Sequence, residues 1–148
     1  MKASDCRGTA EGAAALLKRR MAATVVTPHD GEMRLLTGSP PGRDRIGAAR
    51  ALARDSGSVV LLKGPATVVA DPGGEVLVVT TGDERLATAG TGDVLTGIIG
   101  ALLAHRISPL HAAAAGAWIH GRAARLGPSV GLVASDLAEL IPQVLSQL

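Results

Sequence analysis

Two glycines and a carboxylate stand directly before an apolar run in the stretch LATAGTGDVLTGIIGALLA, residues 86–104. If a helix begins near Gly92, its first backbone N–H groups have no partners within the helix, and the helix dipole adds partial positive charge beside them. Glycine at positions 90 and 92 removes the Cβ atoms that would keep a ligand away from this backbone. The pattern predicts an anion-binding helix start formed by Gly90, Thr91 and Gly92, suited to a phosphate group.

Asp93 follows this helix start at once, and two interpretations of it stay open. A carboxylate at the beginning of a helix is often an N-terminal cap. It can also act as a general base, taking a proton from a substrate hydroxyl while the neighbouring amides hold the phosphoryl group. The spacing alone does not decide between these two roles.

Polar residues also follow two predicted strands. The stretch LLKGPATVV, residues 61–69, places Lys63, Gly64, Pro65, Ala66 and Thr67 after a buried strand. A glycine and a cation at a strand end are frequent in nucleotide-phosphate sites of α/β proteins, although this stretch taken alone favours a simple strand-to-strand turn. His29 follows another strand within VVTPHDGEM, where a histidine is usually exposed or hydrogen-bonded locally.

Strand and helix patterns alternate along the chain, which predicts a layered α/β fold. Only about four strands are expected, fewer than the roughly five to six of an average sheet. The predicted strands are 23–27, 58–63, 67–71 and 75–81, the last two forming a hairpin; the predicted helices are 10–20, 43–57, 92–105, 108–126 and 135–147, with a short helical turn at 32–36. We expect Ile46, Ala49, Leu52 and Ala53 to form the buried face of helix 43–57, Gly57 to end it, and Ser108 and Ser135 to cap the last two helices.

The composition excludes several classes of protein. The 148 residues fit one domain, and a single Trp with no Tyr or Phe argues against nucleic-acid modules that stack bases on aromatic rings. The scattered arginines, Arg45 among them, are interpreted as a solvated surface. A lone Cys6 cannot form an internal disulfide, no group of metal ligands is evident, and no apolar stretch is long enough to span a membrane. Without a signal-peptide pattern, a cytoplasmic location is expected.

Three of these stretches together resemble the ADP/ATP-dependent NAD(P)H-hydrate dehydratase family of the ribokinase-like superfamily. TPHDGEM looks like the family's T-P-H-x-G-E motif, LLKGPATVV is similar to its K-G-x-x-T turn, and AGTGDVLTGI resembles its G-[TS]-G-D helix start. The resemblance runs from about Glu11 to the end of the chain, leaving residues 1–10 as an unmatched leader.

The resemblance implies a ribokinase-like α/β/α fold and the removal of water from hydrated NADH or NADPH, driven by ADP or ATP. It further implies that His29 contacts the hydrated cofactor, that residues 63–67 and Gly90–Gly92 hold the nucleotide, and that Asp93 is the base at the substrate hydroxyl. Magnesium is expected together with the nucleotide phosphates. No nucleic acid or membrane partner is expected.

The family domain is nearly twice as long as this chain, so we expect residues 1–148 to form one partial, nucleotide-binding domain that lacks its N-terminal side. The central strand at 58–62 would then expose an edge or an apolar face, which predicts self-association. Two carboxylates, Asp83 and Glu84, would weaken anion binding unless Arg85 pairs with them. A small-molecule kinase of the same superfamily and a non-catalytic remnant remain alternatives.

Overall fold

The computed structural model describes residues 10–148; Cys6 lies outside this range. Helices and strands alternate through the first half and helices dominate the second, so the α/β class is confirmed. The elements are α1 (Ala10–Lys18), β1 (Val25–Val26), α2 (Asp30–Thr37), α3 (Arg45–Ser56), β2 (Val59–Leu62), β3 (Thr67–Ala70), β4 (Val76–Val79), a short 3-10 helix (Glu84–Ala87), α4 (Thr91–Ala104), α5 (Pro109–Leu126) and α6 (Ala134–Leu145).

The four strands form one sheet in the order β1-β2-β3-β4. β1 and β2 run parallel, with Val25 opposite Val59, whereas β2 and β3 are antiparallel, with Leu61 opposite Val69. The expectation that the strand at 58–62 exposes an edge or an apolar face is wrong, because β2 has a neighbour on each side and all four of its residues are buried. Among the described residues the sheet ends at β1 on one side and at β4 on the other.

The chain divides into two compact units, the first containing the described residues up to Gly64 with Val68–Val76, and the second Pro65–Thr67 with Leu77–Leu148. In the first unit, α2 and α3 pack on β2 and β3. Its core consists of small and aliphatic side chains, since the sequence offers no phenylalanine or tyrosine: Met33, Ala49, Leu52, Ala53, Val60, Leu62, Val68 and Ala70. Ile46 departs from the predicted buried face of α3, because 44% of it is exposed.

The second unit is built around α5, which packs against α4 and α6. Its core again relies on small and aliphatic side chains: Ile119, Ala123, Ala124, Leu132, Leu137 and Val144. Trp118 lies half-buried beside this core, and the guanidinium carbon of Arg122 is 5.8 Å from the centre of its ring. No helix within residues 10–148 is long and apolar enough to cross a membrane.

Helix ends follow the predicted chemistry at most positions. Gly57 ends α3 in a left-handed conformation with φ of 64°, and the Ser108 side chain caps α5 ahead of Pro109, as expected. The prediction that Ser135 caps the last helix is wrong. α6 begins at Ala134, and the Asp136 carboxylate reaches back to accept a hydrogen bond from the N–H of Val133 at 3.0 Å.

Candidate active site

The candidate residues fall into two groups, one in each unit. The first group lies where β1 and β2 end, because parallel neighbours finish at the same edge of a sheet. The N–H of Lys63 donates to the carbonyl oxygen of Pro28 at 2.8 Å, which joins the two segments just beyond the strands. This contact brings the TPHDGE and KG stretches together within the first unit.

His29 caps the N-terminus of α2. Its Nδ1 accepts a hydrogen bond from the N–H of Glu32 at 3.1 Å, and its own N–H donates to Glu32 Oε2 at 2.8 Å. The pair forms a capping box in which histidine replaces the usual serine or threonine. Because Nδ1 is the acceptor, the neutral ring carries its proton on Nε2, and 59% of the side chain is exposed. His29 therefore makes the local hydrogen bond expected of an ordinary histidine and still presents an Nε2 donor.

Glu32 links His29 to Lys63, since its Oε2 lies 3.4 Å from the Lys63 ammonium nitrogen. Burial raises the pKa of this carboxyl, but the hydrogen bond from the His29 backbone and the charges of Lys63 and His29 together lower it below its ordinary value of 4.5. Glu32 is therefore ionised at neutral pH and holds the Lys63 side chain next to the start of α2.

Arg45 is the residue that sequence reasoning missed, and its interpretation as a solvated surface arginine is wrong. Its side chain is 22% exposed; Nη1 donates to both carboxylate oxygens of Asp30 at 2.8 and 2.9 Å, and Nη2 donates to the carbonyl oxygen of Lys63 at 2.7 Å. The signal available in the sequence was its position, because a cation in the first turn of a helix opposes the helix dipole.

Residues 63–66 connect the antiparallel strands β2 and β3. The stretch is thus the strand-to-strand turn that its sequence favoured when taken alone, and Gly64 and Pro65 are exposed at its tip. Lys63 and Gly64 belong to the first unit and Pro65, Ala66 and Thr67 to the second. A nucleotide-binding role for these five residues remains a prediction.

The second group is the start of α4. Gly90 precedes the helix with φ of 85°, a left-handed conformation that favours glycine, and its carbonyl oxygen accepts hydrogen bonds from the N–H groups of Asp93 at 3.1 Å and Val94 at 3.3 Å. Gly92 is the second residue of the helix, where an amide has no acceptor within the helix. The Thr91 N–H donates to the carbonyl oxygen of Thr88 at 3.4 Å, so among the first three amides of α4 only that of Gly92 has no acceptor in the described residues. Anion binding at this helix start remains a prediction.

The buried Thr91 side chain stabilises the turn before α4 by hydrogen bonds to its backbone. Its side chain is 4% exposed, and its hydroxyl lies within hydrogen-bond distance of the carbonyl oxygens of Leu86 at 2.7 Å and Thr88 at 2.8 Å. These contacts fix the backbone between Gly90 and Gly92, and a nucleotide-binding role for Thr91 remains a prediction.

Asp93 is the third residue of α4, and its side chain is exposed. Gly90 occupies the N-cap position, and within residues 10–148 the Asp93 carboxylate makes no hydrogen bond or ion pair. Its interpretation as a capping residue is therefore wrong. The carboxylate remains available as a proton acceptor beside the first amides of the helix.

Of the two acidic residues that precede α4, Asp83 is paired with Arg85. Arg85 donates to Asp83 Oδ1 at 2.9 Å and to Oδ2 at 2.6 Å, and its Nη1 donates to the carbonyl oxygen of Gly127 at 3.2 Å. The hydrogen bonds from Arg85 hold the pKa of the Asp83 carboxyl below its ordinary value, against the effect of burial. The fold thus pairs Asp83 and leaves Glu84 exposed.

Known proteins are similar to this chain over most of its length. The sequence profile of the family described as NAD(P)H-hydrate dehydratase matches residues 9–145. The chain is 48% identical over 132 residues to the bifunctional NAD(P)H-hydrate repair enzyme Nnr of Mycobacterium leprae, covering 87% of this chain and 28% of that protein. It is 43% identical over 122 residues to the ADP-dependent (S)-NAD(P)H-hydrate dehydratase of Neisseria meningitidis, covering 77% of this chain and 41% of that one.

The fold has solved counterparts as well. The ADP/ATP-dependent NAD(P)H-hydrate dehydratase of Bacillus subtilis, co-crystallised with ATP/Mg²⁺ and soaked with CoA, superposes with a TM-score of 0.82 at 34% identity, covering 87% of this chain and 50% of that chain. The α/β fold is therefore ribokinase-like, as the resemblance implied. The chain spans less than half the length of these two curated relatives. The match over residues 9–145, together with the TPHDGE, KG and GTGD segments, places the chain in the NAD(P)H-hydrate dehydratase family.

Proposed function

We propose that this chain is part of an enzyme that dehydrates hydrated NADH or NADPH with ADP or ATP as the driving nucleotide, and that Asp93 is its general base. The observation that carries the proposal is the state of Asp93: an exposed carboxylate with no hydrogen bond among the described residues, at the start of a glycine-led helix. A carboxylate in a structural role would be engaged by the backbone, as Asp136 is in α6.

The proposed chemistry begins at the hydroxyl group of the hydrated nicotinamide ring. Asp93 accepts its proton as the oxygen bonds to the terminal phosphorus of the nucleotide, and the bond from that phosphorus to the bridging oxygen breaks. Phosphate then leaves the ring carbon, and loss of a proton from the adjacent carbon restores the double bond. The Gly92 amide, together with the positive end of the α4 dipole, would stabilise the charge on the transferring phosphoryl oxygens.

Three further residues have proposed binding roles. His29 would donate from Nε2 to the hydrated cofactor, a role that its fixed tautomer supports. Lys63 and Gly64 would meet the nucleotide at the end of β2. Mg²⁺ would be held through nucleotide phosphate oxygens, the hard ligands that this cation prefers. We place the reaction in the cytoplasm, where reduced nicotinamide cofactors are used.

The test is direct. The chain is incubated with hydrated NADH or NADPH, Mg²⁺ and either ADP or ATP, and the absorbance of the reduced nicotinamide is followed. Recovery of that absorbance in step with phosphate release supports the proposal. Transfer of phosphate to a stable product, without recovery, would instead identify a small-molecule kinase.

A binding module without turnover is the second candidate, favoured by the fact that the chain spans only 41% of its Neisseria relative. Calorimetric titration with AMP, ADP and ATP separates the possibilities. Binding without turnover identifies such a module, whereas no heat with any nucleotide removes both candidates.

We also infer that the chain associates with a further strand through β1. Val25 and Val26 form one of the two edge strands of the sheet among the described residues, and both are only half-buried. A strand edge of this kind is a template for pairing with another chain. Light scattering at micromolar concentration tests the inference, since a single monomeric species would contradict it.

A further inference from the structure

Arg45 lies at the start of α3, where a positive charge does not stabilise the helix. It is the first residue of α3, and the preceding residue, Asp44, caps the helix by accepting a hydrogen bond from the N–H of Gly47 at 2.8 Å. A positive charge in the first turn interacts unfavourably with the helix dipole. The reason for an arginine at this position must therefore lie in what its side chain contacts.

The guanidinium joins two segments that are distant in sequence. Asp30, in the first turn of α2, is 15 positions away and binds Nη1, while the Lys63 carbonyl is 18 positions away and accepts from Nη2. The planar fork of arginine can serve a carboxylate and a carbonyl at once, which the single ammonium group of lysine does less well. Arg45 therefore fixes the backbone at Lys63 relative to the start of α2.

Gly64 supplies an independent observation. Its φ does not lie in the left-handed region, so its backbone conformation is open to any residue. A Cβ at this position would nevertheless lie 2.5 Å from Arg45 Nη2 and 3.0 Å from its Cζ. The guanidinium occupies the space that a side chain at position 64 would need.

We propose that Arg45 is a positioning residue that holds the Lys63–Gly64 backbone in its nucleotide-binding conformation, and that position 64 is glycine because the Arg45 guanidinium lies against it. The effect on nucleotide affinity rests on the proposed function. The effect on the loop itself does not, because it follows from contacts among residues of the chain.

A double-mutant cycle tests the proposal with Arg45→Ala, Gly64→Ala and the two combined. The Lys63 amide donates a hydrogen bond to the Pro28 carbonyl oxygen at 2.8 Å. The first readout is the rate of hydrogen exchange of this amide, measured without added nucleotide. The Val59 amide, bonded to Thr24 at the other end of the same strand pair, is the internal reference. The second readout is the Kd for ADP and ATP by calorimetry.

Each single variant is expected to speed exchange at Lys63 but not at Val59, and to raise Kd about tenfold, with the double variant no worse than Arg45→Ala. Costs that add in the double variant would overturn the proposal, as would unchanged exchange at Lys63 in Arg45→Ala. A chain that binds no nucleotide would remove the proposed function, while the exchange measurements would still decide the role of Arg45.

Two further variants separate the effect of the guanidinium contacts from the effect of its positive charge. Arg54→Ala removes the same charge from the same helix at an exposed pair with Asp55 and is expected to behave as the parent in both readouts. Arg45→Lys keeps the positive charge but loses the planar guanidinium group that bonds two acceptors. Exchange of the Lys63 amide in this variant should therefore be as fast as in Arg45→Ala. Parent-like exchange and Kd in Arg45→Lys would show that charge alone suffices and would contradict the proposal.

Discussion

Asp93 and Asp136 occupy the same position, the third residue, of α4 and α6, yet only Asp136 bonds to the backbone at the start of its helix. Asp136 Oδ2 accepts from the N–H of Val133 at 3.0 Å, whereas the α4 N-terminus has no side-chain cap. The chain therefore contains its own matched control for a carboxylate at a helix start. The Asp136 carboxylate is hydrogen-bonded to the backbone, whereas the Asp93 carboxylate has no hydrogen-bond partner among the described residues.

The two aspartates are expected to differ in what their substitution affects most, stability for Asp136 and turnover for Asp93. Asp136→Ala should lower the free energy of unfolding by about 0.5–2 kcal/mol, the usual cost of a lost cap, whereas Asp93→Ala should lower it by about 0.3–1 kcal/mol through the helix dipole alone. Asp93→Asn should reduce turnover by roughly two to four orders of magnitude with little change in nucleotide affinity. Urea unfolding and the recovery of reduced-nicotinamide absorbance measure the two effects. Turnover in Asp93→Asn equal to that of the parent would remove Asp93 as the base.

Glycine-to-alanine changes at the start and in the interior of α4 should have opposite signs. Gly90 has φ of 85°, and its added Cβ would lie 3.1 Å from the Cβ of Ala134. Gly90→Ala is therefore expected to cost about 1–2 kcal/mol through its left-handed conformation and to weaken nucleotide binding. Gly97→Ala meets no atom within 4 Å and should stabilise the helix by about 0.5–1 kcal/mol. Thermal unfolding measures both, and a stabilising Gly90→Ala would show that the turn before α4 is not held as described.

The stability of the second unit should depend on pH through Asp83. Hydrogen bonds from Arg85 lower the pKa of this carboxyl below 3.8, outweighing the effect of burial. A group with a lowered folded-state pKa contributes stability that is complete above its unfolded pKa and is lost as the pH falls through its folded pKa. Asp83→Asn should therefore lower the urea midpoint at about pH 7, and its difference from the parent should shrink below pH 3.8.

The control for this pH effect is Asp55→Asn, which breaks the exposed pair with Arg54. Exposed ion pairs contribute little, so this variant should follow the parent across the whole pH range. A difference between Asp83→Asn and the parent that stays constant down to about pH 2 would contradict the assignment of the effect to titration of Asp83.

Glu32 gives a separate test at the first group of residues. Glu32→Gln keeps an acceptor for the N–H of His29 but removes the charge that faces the Lys63 ammonium. We expect α2 to remain capped and the Lys63 side chain to lose its fixed position, which should change Kd for nucleotide more than stability. Circular dichroism and calorimetric titration, performed on the same preparation, compare the two effects. A melting temperature that falls while Kd is unchanged would assign Glu32 to capping alone.

Local signals predicted the helices well because they act within a few residues. The ends of α3 and α5 follow from Gly57 and from Ser108 with Pro109, each of which satisfies backbone groups next to it. Ser135 failed for the same local reason, since Asp136 competes for the start of α6 and reaches the Val133 amide.

The role of Arg45 could not be predicted, because both of its partners are brought to it by the fold. Its sequence neighbourhood, RDRIGAAR, contains three arginines, and the one local signal, a cation near a helix start, does not indicate which groups Arg45 contacts. The parallel pairing of β1 with β2 determines that Lys63 and Asp30 meet at one edge of the sheet. Motif spacing predicted a site at this end of the sheet but not the contacts of Arg45 with Asp30 and Lys63.

Because the sequence contains one tryptophan and no tyrosine or phenylalanine, its intrinsic fluorescence comes from a single residue. Trp118, the sole tryptophan in a sequence without tyrosine, lies in α5 beside the core of the second unit and beneath Arg122. Its emission reports that unit alone, whereas the far-ultraviolet dichroism sums the helices of both units. Coincident denaturation curves from the two signals would mean that the units melt as one cooperative body, and separated curves that each melts by itself.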